Sequence, residues 1–161
     1  MGRGWPEEVE RVAAYLREAG AEARIEEFRA GTPTASDAAR AVGSELAQIV
    51  KSLVFVCGDL ALLALVPGDR RADPAKVAGA AGAAKAKIAG AAEVEAATGF
   101  RPGAVAPFAL RRVERVLVDR SLLAHDAVWV GAGSPNHLAA LAPADLVRLS
   151  RAELADLVRE G

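Results

Sequence analysis

Three places in this 161-residue chain carry residue types that could do chemistry. The first is Lys51, alone in a run from Leu46 to Val56 that is otherwise almost wholly apolar. An unpaired ammonium is costly to bury, so such a lysine either points out from a strand or is held at a pocket wall by a partner. Strand alternation puts it on the face opposite Val50 and Ser52, and on pattern alone a solvent-facing position is the commoner outcome. The second place is Thr98-Gly99-Phe100-Arg101-Pro102-Gly103-Ala104-Val105-Ala106-Pro107. Glycine lets backbone approach a ligand and proline stiffens the approach, so N–H groups here could be aimed at a carbonyl or phosphate oxygen, although most loops of this composition only connect. The third is Gly131-Ala132-Gly133-Ser134, which leaves a strand and is expected to open a helix, a setting that favours anions.

Other chemistries lack their parts. The histidines, His125 and His137, have no Cys or acidic residue in ligand spacing, which argues against a zinc site. There is no Gly-x-Ser-x-Gly elbow for a triad serine, no Walker loop, and no third glycine for a dinucleotide fingerprint. The single cysteine, Cys57, reads as a small buried hydrophobe, and a lone cysteine fits a reducing cytoplasm. What remains is positioned backbone and a lysine.

The elements that must position these groups follow from periodicity and caps. A first helix is expected over residues 6–19, with Pro6 in its first turn, Val9, Val12, Ala13 and Leu16 on one face, and Gly20 as its stop. A short strand at 24–28 and the turn Gly31-Thr32-Pro33 lead to a second helix, for which Thr34-Ala-Ser-Asp37 has the spacing of a capping box and Gly43 the place of a C-cap. A helical turn at 44–48 precedes two β-rich runs, 49–56 and 60–66, joined by Gly58-Asp59 as an antiparallel hairpin. Asp73-Pro74 starts a helix to about residue 81; a short strand near Lys87-Ile88 and another helix follow in the Ala/Gly-rich stretch to Ala97. Strands at 113–118 and 128–130, a helix opening near Ser134 and a last helix over 151–158 complete the expectation. Interleaved strands and helices with an antiparallel hairpin imply an α/β (α+β) fold: a mixed, largely antiparallel sheet or barrel surrounded by helices, in one domain over residues 1–161.

Composition narrows the partners. Hydrophobic residues make up 52% of the chain but aromatic ones 4%, so Ala, Val and Leu must build the core and few rings are left to stack on bases. A formal net charge of -1 with no basic block lacks the footprint of a protein that tracks a nucleic-acid backbone, so any nucleic acid must be gripped locally. The start of the chain does not read as a signal peptide and no run is long enough to span a bilayer, so a soluble cytoplasmic protein without DNA or membrane partners is expected.

Taken in order, the three places resemble the YbaK/ProX family, free-standing relatives of the editing domain inserted in bacterial prolyl-tRNA synthetase. Gln48-Ile-Val-Lys51-Ser-Leu-Val is similar to that family's lysine-bearing strand, and Thr98-Gly99-Phe100 with Gly103-Ala-Val-Ala-Pro107 to its Thr-Gly-aromatic and Gly-x-x-x-Pro loop. Val116-Leu-Val-Asp119, Gly131-Ala-Gly-Ser134 and Asp145-Leu146 resemble its C-terminal signature. The resemblance implies hydrolysis of the ester of mischarged tRNA in trans, without metal or cofactor, with the substrate's own 2′-hydroxyl helping to activate water. It implies Lys51, Gly103, Ala104 and Val105 as the catalytic set, Lys51 holding the terminal phosphate or ester and the loop supplying polarising N–H groups. Thr34, Thr98, Phe100, Pro107, Asp119, Gly131, Gly133 and Ser134 are the implied substrate-binding positions. The implied partners are the aminoacyl-tRNA acceptor end and prolyl-tRNA synthetase, with the protein a monomer or weak homodimer. Ala132 stands where some relatives have glycine and bears on which small amino acid is removed. Arg111, Arg112, Arg115 and Arg120 are on hand for phosphates. Two other readings compete: a tRNA- or synthetase-binding module without turnover, and a small-metabolite binder using residues 131–134 for an anion.

Overall fold

The computed structural model describes residues 4–21, 23–28 and 34–160; the expected turn at 31–33 lies outside them. The first helix, α1 (Glu7–Glu18), has three acidic residues in its first turn, which suit the helix dipole, and buries Val9, Val12 and Leu16 at helical spacing. Strand β1 (Arg24–Glu27) leads to α2 (Ala35–Val42), whose cap is the expected one: Thr34 Oγ accepts from Asp37 N, and Gly43 ends the helix at φ 70°. A 3-10 turn, Leu46–Gln48, then delivers the chain into β2 (Val50–Cys57), and the hairpin turns at Gly58 into β3 (Leu60–Pro67).

Helix α3 (Pro74–Ala81) starts on the Asp73 cap, whose side chain accepts from Ala75 N. Strand β4 (Lys87–Ile88) and α4 (Ala91–Thr98) follow, then the 99–114 segment, β5 (Arg115–Asp119), β6 (Val128–Gly131), β7 (His137–Leu141), α5 (Pro143–Ser150) and β8 (Glu153–Ala155). The strands form two sheets that do not close into a barrel. One has order β4-β2-β3-β5-β8, antiparallel across β4-β2-β3 and parallel across β3-β5-β8; the other is antiparallel, β1-β7-β6.

The main core lies between the sheets. Val50, Val54, Leu63, Leu65, Val116 and Val118 of the large sheet meet Val128, Val130 and Ala139 of the small one, closed by α1, α5 and the buried rings of Phe100 and Phe108. The other face of the large sheet, with Phe55, Cys57, Leu62, Ala64 and Val66, is covered by Val77 of α3 and by Leu157 and Val158. Cys57 is buried, as its reading as a small hydrophobe required, and burial pushes its thiol pKa up. Helix α2 lays Ala38 and Ala39 against Ile49 and Leu138.

Two expected elements are corrected. Ser134 opens no helix: residues 134–136 turn the chain from β6 into its antiparallel partner β7, with Ser134 Oγ accepting from Asn136 N. The expected last helix over 151–158 is replaced by α5, which begins eight residues earlier with Pro143 in its first turn, followed by β8. Leu154, Leu157 and Val158 have helical spacing, yet β8 lies parallel to β5 and Leu157 N donates to Asp119 Oδ1, so sheet pairing overrides the local pattern.

Candidate active site

A cleft of about 380 Å³ opens where the two sheets and α2 meet. Five consecutive residues, Ile49 to Leu53, line it, which a strand whose side chains alternate can do only where its edge is open. The hydrogen bonds identify that edge. Ile49 O accepts from Gly68 N on the β3 side and Val54 O accepts from Ala89 N on the opposite side, so Val50, Ser52 and Val54 aim their backbone groups away from β3. Strand β4 pairs there with Phe55 and Val56 alone, and Ile49 bridges Trp129, leaving the stretch between as the cleft wall. Opposite it stand Gly103, Val105, Gly131 and Leu138, with Thr34, Ala35 and Ala38 of α2 closing the end.

The loop's approach to β6 explains the glycine at 131. A Cβ there would lie 2.6 Å from the Val105 carbonyl oxygen, so only glycine lets β6 and the loop touch. Gly103 has φ 82° with nothing within 4 Å of an added Cβ, so its glycine serves the turn itself. Ala104 N is committed to the Arg101 carbonyl at 3.0 Å, whereas Gly103 N and Val105 N donate to no backbone group of the described residues. Of the loop residues that line the cleft, Gly103 and Val105 therefore keep N–H groups that no backbone carbonyl of the described residues takes.

Lys51 reaches the cleft from the other face of β2. Its neighbours on that face, Leu53 and Phe55, belong to the α3 side, while Val50 and Val54 pack with Val105. Its Nζ donates to the Arg70 carbonyl in the turn after β3, so the ammonium stands on the rim of the cleft and not against the 103–107 loop. Burial lowers its pKa, the Arg71 guanidinium lowers it further, and Asp69 acts in the opposite direction.

The structure thus gathers Thr34, Lys51, Gly103, Val105 and Gly131, and leaves the other predicted positions outside. Thr98 is fully buried and uses its hydroxyl on Val94 O, Phe100 O and Phe100 N, tying α4 to the loop. Phe100 is core, with the Arg11 guanidinium 4.4 Å from its ring centre. Asp119 accepts from Ser121 and from Leu157 N, a fastening for the C-terminal segment. Pro107 borders a groove with Tyr15 on the far side of the loop. Ala104, Gly133 and Ser134 line a separate hollow with Pro6 and Glu8, and an added Cβ at Gly133 would strike Glu8 O at 2.8 Å, so this glycine admits α1. Ser134 Oγ lies 2.5 Å from His137 Nδ1. Of the arginines held for phosphates, Arg115 is bound to Glu153 and to the carbonyls of Ala80 and Ala81.

Ser52 went unnoticed from sequence: it lines the cleft and its buried Oγ has no hydrogen-bond partner among the described residues. Its only sequence signal was its place beside Lys51 in an apolar strand. No group of three or more metal-ligating side chains occurs among the described residues, and no helix among them is long and apolar enough to cross a membrane.

The family model described as the aminoacyl-tRNA editing domain matches residues 29–149. The uncharacterized protein YwhH of Bacillus subtilis (strain 168) is 34% identical over 127 residues, 78% of this chain and 80% of that protein. EbsC of Enterococcus faecalis (strain ATCC 700802 / V583), named as a candidate Cys-tRNA(Pro)/Cys-tRNA(Cys) deacylase, is 26% identical over 77% of this chain and 76% of its own length. In the proline–tRNA ligase of Stenotrophomonas maltophilia (strain K279a), 66% of this chain matches 20% of the ligase at 33% identity. Among solved structures, one described as a candidate trans-editing enzyme for prolyl tRNA synthetase superposes with a TM-score of 0.91 at 36% identity, covering 98% of this chain and all of that one.

Proposed function

This chain belongs to the aminoacyl-tRNA editing domain family, and from that premise we propose that it hydrolyses the ester of a mischarged tRNA in trans, on a tRNA(Pro) or similar tRNA carrying a small wrong amino acid. The observation that carries the reading is the cleft itself, a space of about 380 Å³ lined by β2 residues 49–53 and by Gly103 and Val105, whose N–H groups donate to no backbone group of the described residues.

Water adds to the ester carbonyl carbon, and negative charge grows on its oxygen. Donors fixed in advance at that oxygen lower the barrier without reorganising, and Gly103 N and Val105 N are the candidates. Collapse breaks the bond to the 3′ oxygen, which takes up a proton originating from the water, releasing the amino acid and a free tRNA 3′ end. Among the described residues the cleft is lined by no carboxylate, histidine or cysteine that could serve as base. The substrate's 2′-hydroxyl is then the group that would orient the water and relay its proton to the leaving 3′ oxygen, and no metal is called on. Ser52 Oγ, buried at the wall without a partner among the described residues, is a candidate contact for the aminoacyl end. The naming of EbsC as a candidate Cys-tRNA(Pro) deacylase and the ligase matches support tRNA(Pro) as substrate and prolyl-tRNA synthetase as the enzyme whose errors are corrected.

The test is hydrolysis of a panel of mischarged tRNAs, each also prepared with a terminal 2′-deoxyadenosine and the amino acid on the 3′-hydroxyl. Release from the native ester and a far slower rate on the deoxy form are expected; equal rates would refute substrate assistance, and no release from any member would refute the deacylase. The metabolite-binder alternative loses its ground, since it needed a helix N-terminus at Ser134 and the chain makes a strand-to-strand turn there.

A further inference from the structure

The loop that carries the cleft's N–H groups starts at Gly99, the residue that ends α4 at φ 79°. A Cβ added there would lie 2.8 Å from Arg111 Nε and 2.9 Å from Arg11 Nη2, so the space a side chain would fill is taken by two guanidinium groups. They come from elements far apart in the chain. Arg11, on α1, is held by the Gly99 carbonyl, to which its Nη2 donates at 3.2 Å, and by the Phe100 ring, while its buried Nε makes no hydrogen bond among the described residues. Arg111 is delivered by its neighbour, since Arg112 N donates to the Ala97 carbonyl at 2.7 Å. Its own side chain is exposed and enters no ion pair or hydrogen bond among the described residues. Glu8 and Glu95, which line the adjoining hollow with Gly99, pair with neither arginine.

Two like charges held side by side repel, and an anion set between them removes that cost. Guanidinium N–H groups fit phosphate oxygens in pairs, and a local pair is what a chain of net charge -1 can offer a nucleic acid. Gly99 precedes Gly103 by four residues, so their Cα atoms are at most about 15 Å apart. Phosphates recur along a duplex strand about every 3.4 Å of helix axis, so a strand whose 3′ end lies in the cleft has one at that range within a few nucleotides. We propose that Arg11 and Arg111 together bind one backbone phosphate of the tRNA acceptor strand, upstream of its terminal adenosine. This rests on the reading of the chain as a deacylase. Of the four arginines the sequence offered for phosphates, Arg115 is consumed by Glu153, whereas Arg111 gains from α1 a companion that no spacing in the sequence suggests.

The experiment measures binding of a tRNA(Pro) acceptor-stem minihelix ending in CCA by fluorescence anisotropy, as a function of salt, together with kcat and KM for deacylation. Loss of one charge-assisted phosphate contact weakens binding about tenfold and lowers the slope of log affinity against log salt by about 0.7 to 0.9. Both effects are expected for Arg111→Ala, with the kinetic loss carried by KM rather than kcat and the melting temperature unchanged, because the side chain fastens nothing in the fold. Arg111→Lys should restore most of the affinity, and Arg111→Glu should fall below Ala. Arg24→Ala removes the same charge from β1, where Arg24 pairs with Glu26, and should leave the slope near that of the wild type. Wild-type affinity and slope in Arg111→Ala and Arg111→Glu would overturn the proposal, as would an equal loss of slope in Arg24→Ala or failure of the wild type to bind the minihelix. A site for a free anion gives another pattern, which also overturns it: inorganic phosphate raises the melting temperature of the wild type but not of Arg111→Ala, and minihelix binding ignores the substitution. The two readings fail separately. Hydrolysis of mischarged tRNA by Arg111 variants indistinguishable from the wild type removes the phosphate site and keeps the deacylase, and Arg111-dependent binding without hydrolysis does the reverse.

Discussion

A half-buried ammonium between a carbonyl and a guanidinium gives up its proton more readily than a lysine in water, and for Lys51 burial is the larger cause and Arg71 the second. If its charge holds the terminal phosphate or ester of the substrate, kcat/KM for deacylation should fall on the alkaline side at a pH below the ordinary lysine value of 10.5, and Lys51→Arg should abolish that limb. Lys51→Ala should reduce kcat/KM at least about tenfold while costing only about 1 kcal/mol of stability, the usual net value of one hydrogen bond. Circular dichroism melting alongside the kinetics separates the two effects. His137 makes a different use of burial. It is 2% exposed, its Nε2 has no hydrogen-bond partner among the described residues and the Glu27 carboxylate is 3.7 Å away, so burial lowers its pKa more than Glu27 raises it. The unfolded chain therefore takes up a proton at His137 as pH falls through 6.5, before the folded one does, and stability drops across that window. The urea midpoint should fall between pH 7.5 and pH 5, and the part of that fall due to this site should vanish in His137→Gln.

At the scale of elements, the loop and β6 are mutually dependent through Gly131. Gly131→Ala places a methyl carbon 2.6 Å from the Val105 carbonyl oxygen, which forces the loop backbone to move. Deacylation should then fall by a factor of about 100 to 1,000, the usual consequence of misplacing one oxyanion donor, with a lower melting temperature. Gly103→Ala meets no atom, but its φ of 82° penalises a side chain by roughly 1–2 kcal/mol, so this variant should lose activity through the loop's own distortion. The opposite substitution is open at the end of α5, where Arg151 stands in the left-handed region at φ 56° as the C-cap. Arg151→Gly should raise stability by about 1 kcal/mol, read as a higher urea midpoint at unchanged slope, and leave kcat/KM alone because the residue is remote from the cleft.

For the whole molecule, the decisive arrangement is that the small sheet packs on one face of the large one while β2 keeps part of its edge open. The cleft exists because β4 is two residues long and pairs only with the end of β2. The described residues hold no metal-ligating cluster, so EDTA should leave deacylation within about twofold. Loss of activity restored by zinc would show that the chemistry is not carried by backbone donors and substrate.

Local signals in the sequence were enough wherever a cap or turn chemistry acts within a few residues. Thr34 with Asp37, Asp73-Pro74, Gly43 and Gly58 set the boundaries of α2, α3 and the β2–β3 hairpin through contacts made inside the segment. They determined as well that Lys51 opposes Val50 and Ser52, because alternation is a property of the strand alone. What the sequence could not determine was the partner of each exposed pattern. Leu154, Leu157 and Val158 repeat at helical spacing within the expected helix over 151–158, but pairing of 153–155 with β5, the Leu157 bond to Asp119 and the Val158 bridge to Ala72 hold the segment out of a helix. Gly131, Gly133 and Ser134 look like one site in sequence. The structure parts them, since Gly131 answers to the loop and Gly133 to α1, contacts made by residues 104–105 and 8–9. Lys51 shares a cleft with Gly103 and Val105, but that its ammonium is tied to the Arg70 carbonyl was not legible, because which elements cover the two faces of a strand is settled by packing between segments far apart in the chain.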